Sequence, residues 1–188
     1  HKKSLFISKN ISHCYLMEKL KSFPKTETAK KYASSYTYTA EKSIELLFKD
    51  KSKEINLVIV EDFENTEKFL NLHRTNGSSL KYPELNSCII SHKIAKDYKI
   101  SEGDTIRLRD GDLKEIEVRV GGIFENFVYN YIYLRFDTYQ EKFGQKPEYK
   151  STYINFSKDQ NVHQAAAEFM KLETVSSVAV NEDMKEHL

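Results

Sequence analysis

Few side chains in this 188-residue chain have the types and spacing that chemistry requires. Cys88 and His92 stand four residues apart and could form a thiol–imidazole dyad, in which the imidazole takes the thiol proton and leaves a nucleophilic thiolate. An apolar strand pattern ends and a helix pattern begins between them, so they do not share one helix face. Glu102, Asp104, Asp110 and Asp112 could crowd carboxylate oxygens around a calcium ion. Their spacing is not that of an EF-hand loop, and turn formation accounts for each Asp. Glu61, Asp62 and Glu64 form a helix-capping cluster more than an acid–base pair. His13, His73, His92 and His163 are isolated, and there is no HExxH, nucleophile elbow, phosphate loop or GxGxxG. The chain is therefore expected to be no enzyme, with no catalytic residue, bound cofactor or metal. Dispersed active-site residues, which motifs do not reveal, are the competing reading.

Binding chemistry has better candidates. Phe124, Phe127, Tyr129, Tyr131 and Tyr133 cluster within ten residues. Interleaved with Lys and Arg such a run could stack nucleobases. Here the neighbours are Glu125, Asn126, Val128 and Asn130, with Arg135 the nearest base, so sheet packing comes first and a protein contact surface second. Candidate contacts are Tyr129, Tyr131 and Tyr133 together with Asp110 and Asp112 at a hairpin tip. The net charge of +1 argues against a general polyanion binder. Its distribution is uneven: residues 1–53 carry 12 Lys against 5 acidic residues, net +7, and the remainder is net −6. A solvated lysine-rich surface explains the basic third better than anionic lipid does. With 39% apolar and 30% charged residues, the chain suits a globular core under a charged surface. No apolar run approaches the roughly 20 residues of a spanning helix. A start at His1 without Met suggests an excised piece. Cys14 and Cys88 sit in apolar patterns and are expected as buried free thiols.

The elements that must position these groups follow from periodicity. Ile11, Cys14, Met17 and Leu20 are spaced for one face of a helix over 10–23, ended by Pro24. Residues 32–38 and 43–48 read as two strands of a hairpin, and Ile55 to Val60 as a third strand. Asp62 starts a helix through Leu72. Cys88 to Ile90 is a short buried strand, and Ser91 caps a helix carrying Ile94, Ala95 and Tyr98. Gly103 supplies a left-handed turn residue and Asp104 bonds the turn backbone. Ile106 and Leu108 then alternate with polar residues, Asp110-Gly111 makes a two-residue hairpin turn, and Ile116, Val118 and Val120 return. Gly121-Gly122 permits a bulge. Further on come a strand at Tyr131–Leu134, a helix capped by Asp137 and closed by Gly144, and a polar linker containing Pro147. A strand over 152–156, a helix capped by Asp159 and a strand at 175–180 make a β-α-β unit that needs a sheet partner. The expected class is α+β: a discontinuous α/β sheet subdomain, residues 1–85 plus 146–188, with an inserted, mainly β subdomain at 86–145.

The order of these pieces resembles the extracytoplasmic domain of FtsX-like ABC transporter permeases and the related MacB-like periplasmic core. The residues that carry the resemblance are Ile89-Ile90-Ser91, Ile94-Ala95, Gly103-Asp104-Thr105, Val118 to Ile123, Asn130 to Tyr133, the Tyr139/Phe143 helix, Met170 to Leu172 and Val175 to Val178. It covers residues 30–188 and is strongest over 87–144. It implies a porter-like α+β subdomain, built from discontinuous segments, with a smaller β insertion. The segment would be the loop between the first and second membrane helices of a permease, on the extracytoplasmic side of the cell membrane, with helix 10–23 continuing from the first. ATP would be bound by a cognate cytoplasmic ABC ATPase, not by this domain. Partners would be the permease's own membrane helices, that ATPase, a second permease copy or paralogue, and an external protein, peptide or lipid, with no nucleic acid. The domain would pass ATP-driven motion to that external partner. A small soluble β-barrel binding module built on the Gly-Asp hairpin, of a DNA-binding kind, is the alternative, and the acidic second half of the chain speaks against it.

Overall fold

The computed structural model describes residues 23–127 and 129–180, and the backbone of 11–16. It divides into two units, one of residues 1–39, 65–71 and 148–188 and one of 40–64 and 72–147. The expected boundaries differ from these: residues 40–64 and 72–85 lie in the same unit as 86–147.

The second unit is a closed barrel. Its strands are the later part of β2 (Ala33–Phe48), β3 (Lys51–Val60), β4 (Ser87–Ser91), β5 (Thr105–Arg109), β6 (Glu115–Phe124) and β7 (Tyr131–Leu134). They follow one another as β3-β7-β4-β6-β5-β2, and β2 pairs back onto β3. Closure gives every strand two neighbours and removes free edges. β3 runs parallel to β7, and β4 runs parallel to β6. Along β6 burial alternates strictly, with Ile116, Val118 and Val120 inward, as the period of two requires. Ile106 and Leu108 of β5 do the same opposite Val118 and Ile116. The Tyr82 hydroxyl donates to Leu134 O at 2.8 Å and accepts from Val60 N–H at 3.0 Å, which joins the ends of β3 and β7.

Two helices flank these strands. α1 is Glu27–Tyr32 in the first unit, and α2 is His92–Tyr98 and α3 Phe136–Phe143 in the second. Ser91 caps α2 through Ile94 N–H, and Gly144 ends α3 at φ 73°, both as expected. α3 begins one residue before Asp137, however, and its N-cap Arg135 makes no side-chain cap bond. Asp137 instead accepts from Thr138 N–H and pairs with Arg135, so its carboxylate serves the first turn from inside.

The first unit is a sheet in the order β2-β8-β1-β9, with β1 at Ile11–Leu16, β8 at Ser151–Phe156 and β9 at Val175–Val180. β1 runs antiparallel to both β8 and β9. The expected helix over 10–23 is thus a strand across 11–16, and the rest of that span, save Phe23, lies outside the described residues. Ile, Ser, His, Cys and Tyr are weak helix formers, and the gap between β8 and β9 offers the backbone two ladders at once. The hairpin expected within 32–48 is one strand of 16 residues, and the true hairpin turns at Lys49-Asp50, with Lys49 at φ 55°. Thr26 caps the unexpected α1 through Ala29 N–H. The expected helix after Asp62 is only a 3-10 segment, Phe63–Lys68, kinked at Asn65.

α4 (Val162–Met170) connects β8 to β9, and Asn161 caps it in place of Asp159, accepting from Gln164 N–H at 2.9 Å. Residue 157 to 160 turns first, with Gln160 N–H on Ser157 O, which moves the helix start beyond Asp159. The core gathers Phe23, Tyr32, Tyr38, Ile154, Phe156, Ala165 and Phe169. Phe169 stacks on Phe23 at 5.7 Å and on Phe156 at 5.9 Å. The buried hydroxyls nearby are satisfied: Ser151 donates to Thr39 O and Thr152 to Thr37 O.

Candidate functional site

The residues weighed for catalysis are not brought together among the described residues. Cys88 is fully buried in β4, and burial alone pushes its thiol well above the ordinary value, so a thiolate is not available there. The His92 ring packs edge-on to Phe127 at 4.8 Å. Glu102, Asp104, Asp110 and Asp112 are each occupied locally or dispersed. Among the described residues no group of three or more His, Cys, Asp or Glu could hold a metal ion. Arg74 holds Glu102 by two hydrogen bonds, 3.0 and 3.3 Å, and its guanidinium lowers the Glu102 carboxyl below the ordinary value.

The Gly-Asp turn folds as a built unit. Gly103 sits at φ 96° and its N–H donates to Val120 O at 2.7 Å. Asp104 accepts from Ser101 N–H, on the residue before the turn rather than after it. Its own carbonyl accepts from Val120 N–H. At the bulge, Cys88 faces Val120 while Ile89 faces Gly122, which leaves Gly121 as the extra residue. A Cβ at Gly121 would run into Ser87 Oγ, and one at Gly122 would lie 2.7 Å from Leu80 Cδ1.

The hairpin tip differs from expectation. β5 and β6 end at Arg109 and Glu115, so five residues connect them instead of two. Asp110 organises the loop: its Oδ1 accepts from Asp112 N–H at 3.0 Å and Lys114 N–H at 2.9 Å. The left-handed residue is Leu113, at φ 63°, and not Gly111. Asp110 is only 7% exposed, with its Oδ1 taken by the loop backbone, so it is a poor contact residue. Asp112 and Leu113 form the exposed tip.

Of the tyrosines, Tyr133 is buried, packed between Tyr82 and Phe124 at 5.8 and 5.5 Å, and cannot face a partner. Tyr131 is half-buried, and burial pushes its hydroxyl up to about 12. Tyr129 is exposed and meets Tyr131 edge-on at 5.6 Å. Phe127, weighed with the other aromatics but not named among the contact residues, is the more exposed ring of this loop at 56%. Asn126 shapes the loop by accepting from Tyr129 N–H at 2.9 Å. A turn-forming Asn just before two aromatic residues was the signal.

One further concavity lies wholly within the barrel unit, a groove of about 700 Å³ bordered by segment 79–87, the Gly103 turn and β6 at Arg119–Gly121. Sequence reasoning could not find it, because its walls come from segments far apart in the chain.

No helix among the described residues is long and apolar enough to cross a membrane, which leaves strand-built membrane spans untouched. No curated protein sequence matches the chain. The fold is similar to that of the periplasmic region of MacB from Actinobacillus actinomycetemcomitans, at TM-score 0.59 and 16% identity, over 96% of this chain and 93% of that one. It is also similar to the extracellular domain of the noncanonic ABC-type transporter YknZ from Gram-positive bacteria, at TM-score 0.53 and 15% identity, over 90% and 98% of the two chains. A family model for the MacB-like periplasmic core domain matches residues 18–172. That match runs through both the discontinuous sheet and the barrel, so the chain belongs to the MacB-like periplasmic core domain family and is an extracytoplasmic domain of an ABC transporter permease.

Proposed function

We propose that this domain couples ATP-driven motion of the permease's membrane helices to an external substrate or envelope partner. The match across residues 18–172 to a transporter domain family carries the reading. ATP is bound by a separate cytoplasmic ATPase, and a second permease copy or paralogue completes the membrane dimer. The domain itself has no catalytic role. Coupling of this kind requires contacts that differ in free energy between two states of the permease, since a ligand or partner shifts an equilibrium only by its differential affinity. Phe127 and Tyr129 on one loop and the half-buried Tyr131 at the start of β7, with Asp112 and Leu113 at the hairpin tip, are the surfaces that make such contacts. Exposed aromatic rings offer large contact area at little entropic cost.

The test places a photo-cross-linking side chain at position 113, 127 or 129 of the full permease in its membrane, with its ATPase present. The expected result is a cross-link to an external component that changes when ATP hydrolysis is blocked. Cross-links at all three positions that ignore the nucleotide state would overturn the reading.

A further inference from the structure

Arginines on the β5–β6 face of the barrel come with carboxylates, except one. Arg107 pairs with Glu115 at 2.9 Å, and Arg109 with Glu45 at 2.7 Å. Arg119 stands between Thr105 and Ser87 in the registers of β5 and β4, with no acid opposite it. Its guanidinium lies over Gly103, 3.7 Å from where a Cβ would be, and among the described residues it has no ion pair. It lines the groove together with Lys81, which is exposed and likewise without a carboxylate partner among the described residues. Arg74 also borders the groove, but Glu102 neutralises it. Glu84 is the one other acid on the wall.

The groove also has two backbone N–H groups outside any ladder. Segment 80–84 runs outside any helix or strand. Leu80 N–H reaches Leu72 O and Ser87 N–H reaches Glu84 O, yet Lys81 and Leu85 use no N–H in a hydrogen bond among the described residues. Leu85 is 47% exposed. Unladdered main-chain groups, an exposed leucine and two unpaired cations together fit an extended chain that bears carboxylates. Main-chain bonds would supply affinity, and the cations would set the register of the acidic groups.

We infer that the groove between segment 80–87 and the Gly103 turn is a binding site for an extended acidic peptide segment, whose carboxylate is held by Arg119 and Lys81. This does not rest on the coupling role, since the groove and the Phe127–Tyr129 loop are tested by separate substitutions. The probe is tetraglutamate with a free C-terminus, titrated into the 188-residue chain while backbone amide NMR signals are followed. Shifts centred on Leu85, Gly103 and Gly121 are expected. Arg119→Gln should weaken binding roughly tenfold, as loss of a charge-assisted hydrogen bond does, and Lys81→Gln by less. Arg107→Gln, which breaks a paired arginine of similar exposure, should leave it unchanged. Shifts spread over the lysine surface, equal binding of tetraglutamine, or an Arg119→Gln chain that binds like the parent would each overturn the inference.

Discussion

In the barrel unit the strands return to their starting point, so each of the six has a neighbour on both sides. In the other unit β9 has only β1 beside it among the described residues, and the unit draws on three separated stretches of chain. The barrel's β5–β6 hairpin is local, and its inward residues alternate along the strands. The other unit is held where Phe23 stacks on Phe169 and Phe169 on Phe156, joining the N-terminal stretch to the β8–α4 segment far along the sequence. The difference teaches that closure distributes stability over ladders, whereas an open sheet made of distant segments concentrates it in a few buried side chains.

Substitution at the aromatic stack should show the largest effect. Phe169→Ala removes a fully buried ring between Phe23 and Phe156 and should cost about 3–5 kcal/mol in denaturant unfolding. Hydrogen exchange should rise in β8, α4 and β9 while the barrel strands keep their protection. Equal loss of protection in β5 and β6 would break the contrast. Within the barrel, the bulge is the sensitive point. Gly121→Ala should cost about 1–3 kcal/mol because the new methyl meets Ser87 Oγ. Adding Ser87→Ala should recover most of that loss, a coupling readable in a double-mutant cycle.

A gain is expected at the hairpin tip. Leu113 holds φ 63° and is 76% exposed, so it contributes strain without burial. Leu113→Gly should raise the melting temperature slightly, with a gain of about 0.5–1 kcal/mol after glycine's own entropic cost. The smallest effect is electrostatic. Arg109 hydrogen-bonds Glu45 and holds its carboxyl below the ordinary value of 4.5. A group whose folded pKa is lowered stabilises the fold above its unfolded pKa, and that contribution is lost as pH falls through the folded value. Glu45→Gln should therefore flatten the acid limb of the stability profile below about pH 4.5 and lower neutral stability by the same amount, a small one because both side chains are about one-third exposed. An unchanged acid limb would remove this pair from the barrel's account.

Much of the fold was legible where burial and local pattern coincide. β5 and β6 alternate because one face of each is inside, and β8-α4-β9 follows from a strand, an alanine-rich helix face and a valine strand. β2 reads as two strands in the sequence because polar Glu41-Lys42 interrupts the pattern, while the strand runs on unbroken through buried Thr39 and Ala40. Asp110-Gly111 carries a hairpin signal, but a carboxylate that accepts two backbone N–H groups favours the wider loop. Of the contact residues, Tyr129 and Asp112 are exposed, whereas the alternation that makes Tyr131 and Tyr133 a strand left open how deeply each sits.

By itself the sequence determined the period of most elements, the caps at Ser91 and Gly144, the left-handed turn at Gly103 and the family to which their order points. These depend on backbone sterics and on neighbours a few residues away. Only the tertiary structure decided that 11–16 is a strand, that six strands close into a barrel and that Arg119 has no acid opposite it. Each of those depends on which distant segment lies alongside. Pairing of that kind is settled by burial and ladder completion across the whole chain, which no local spacing records.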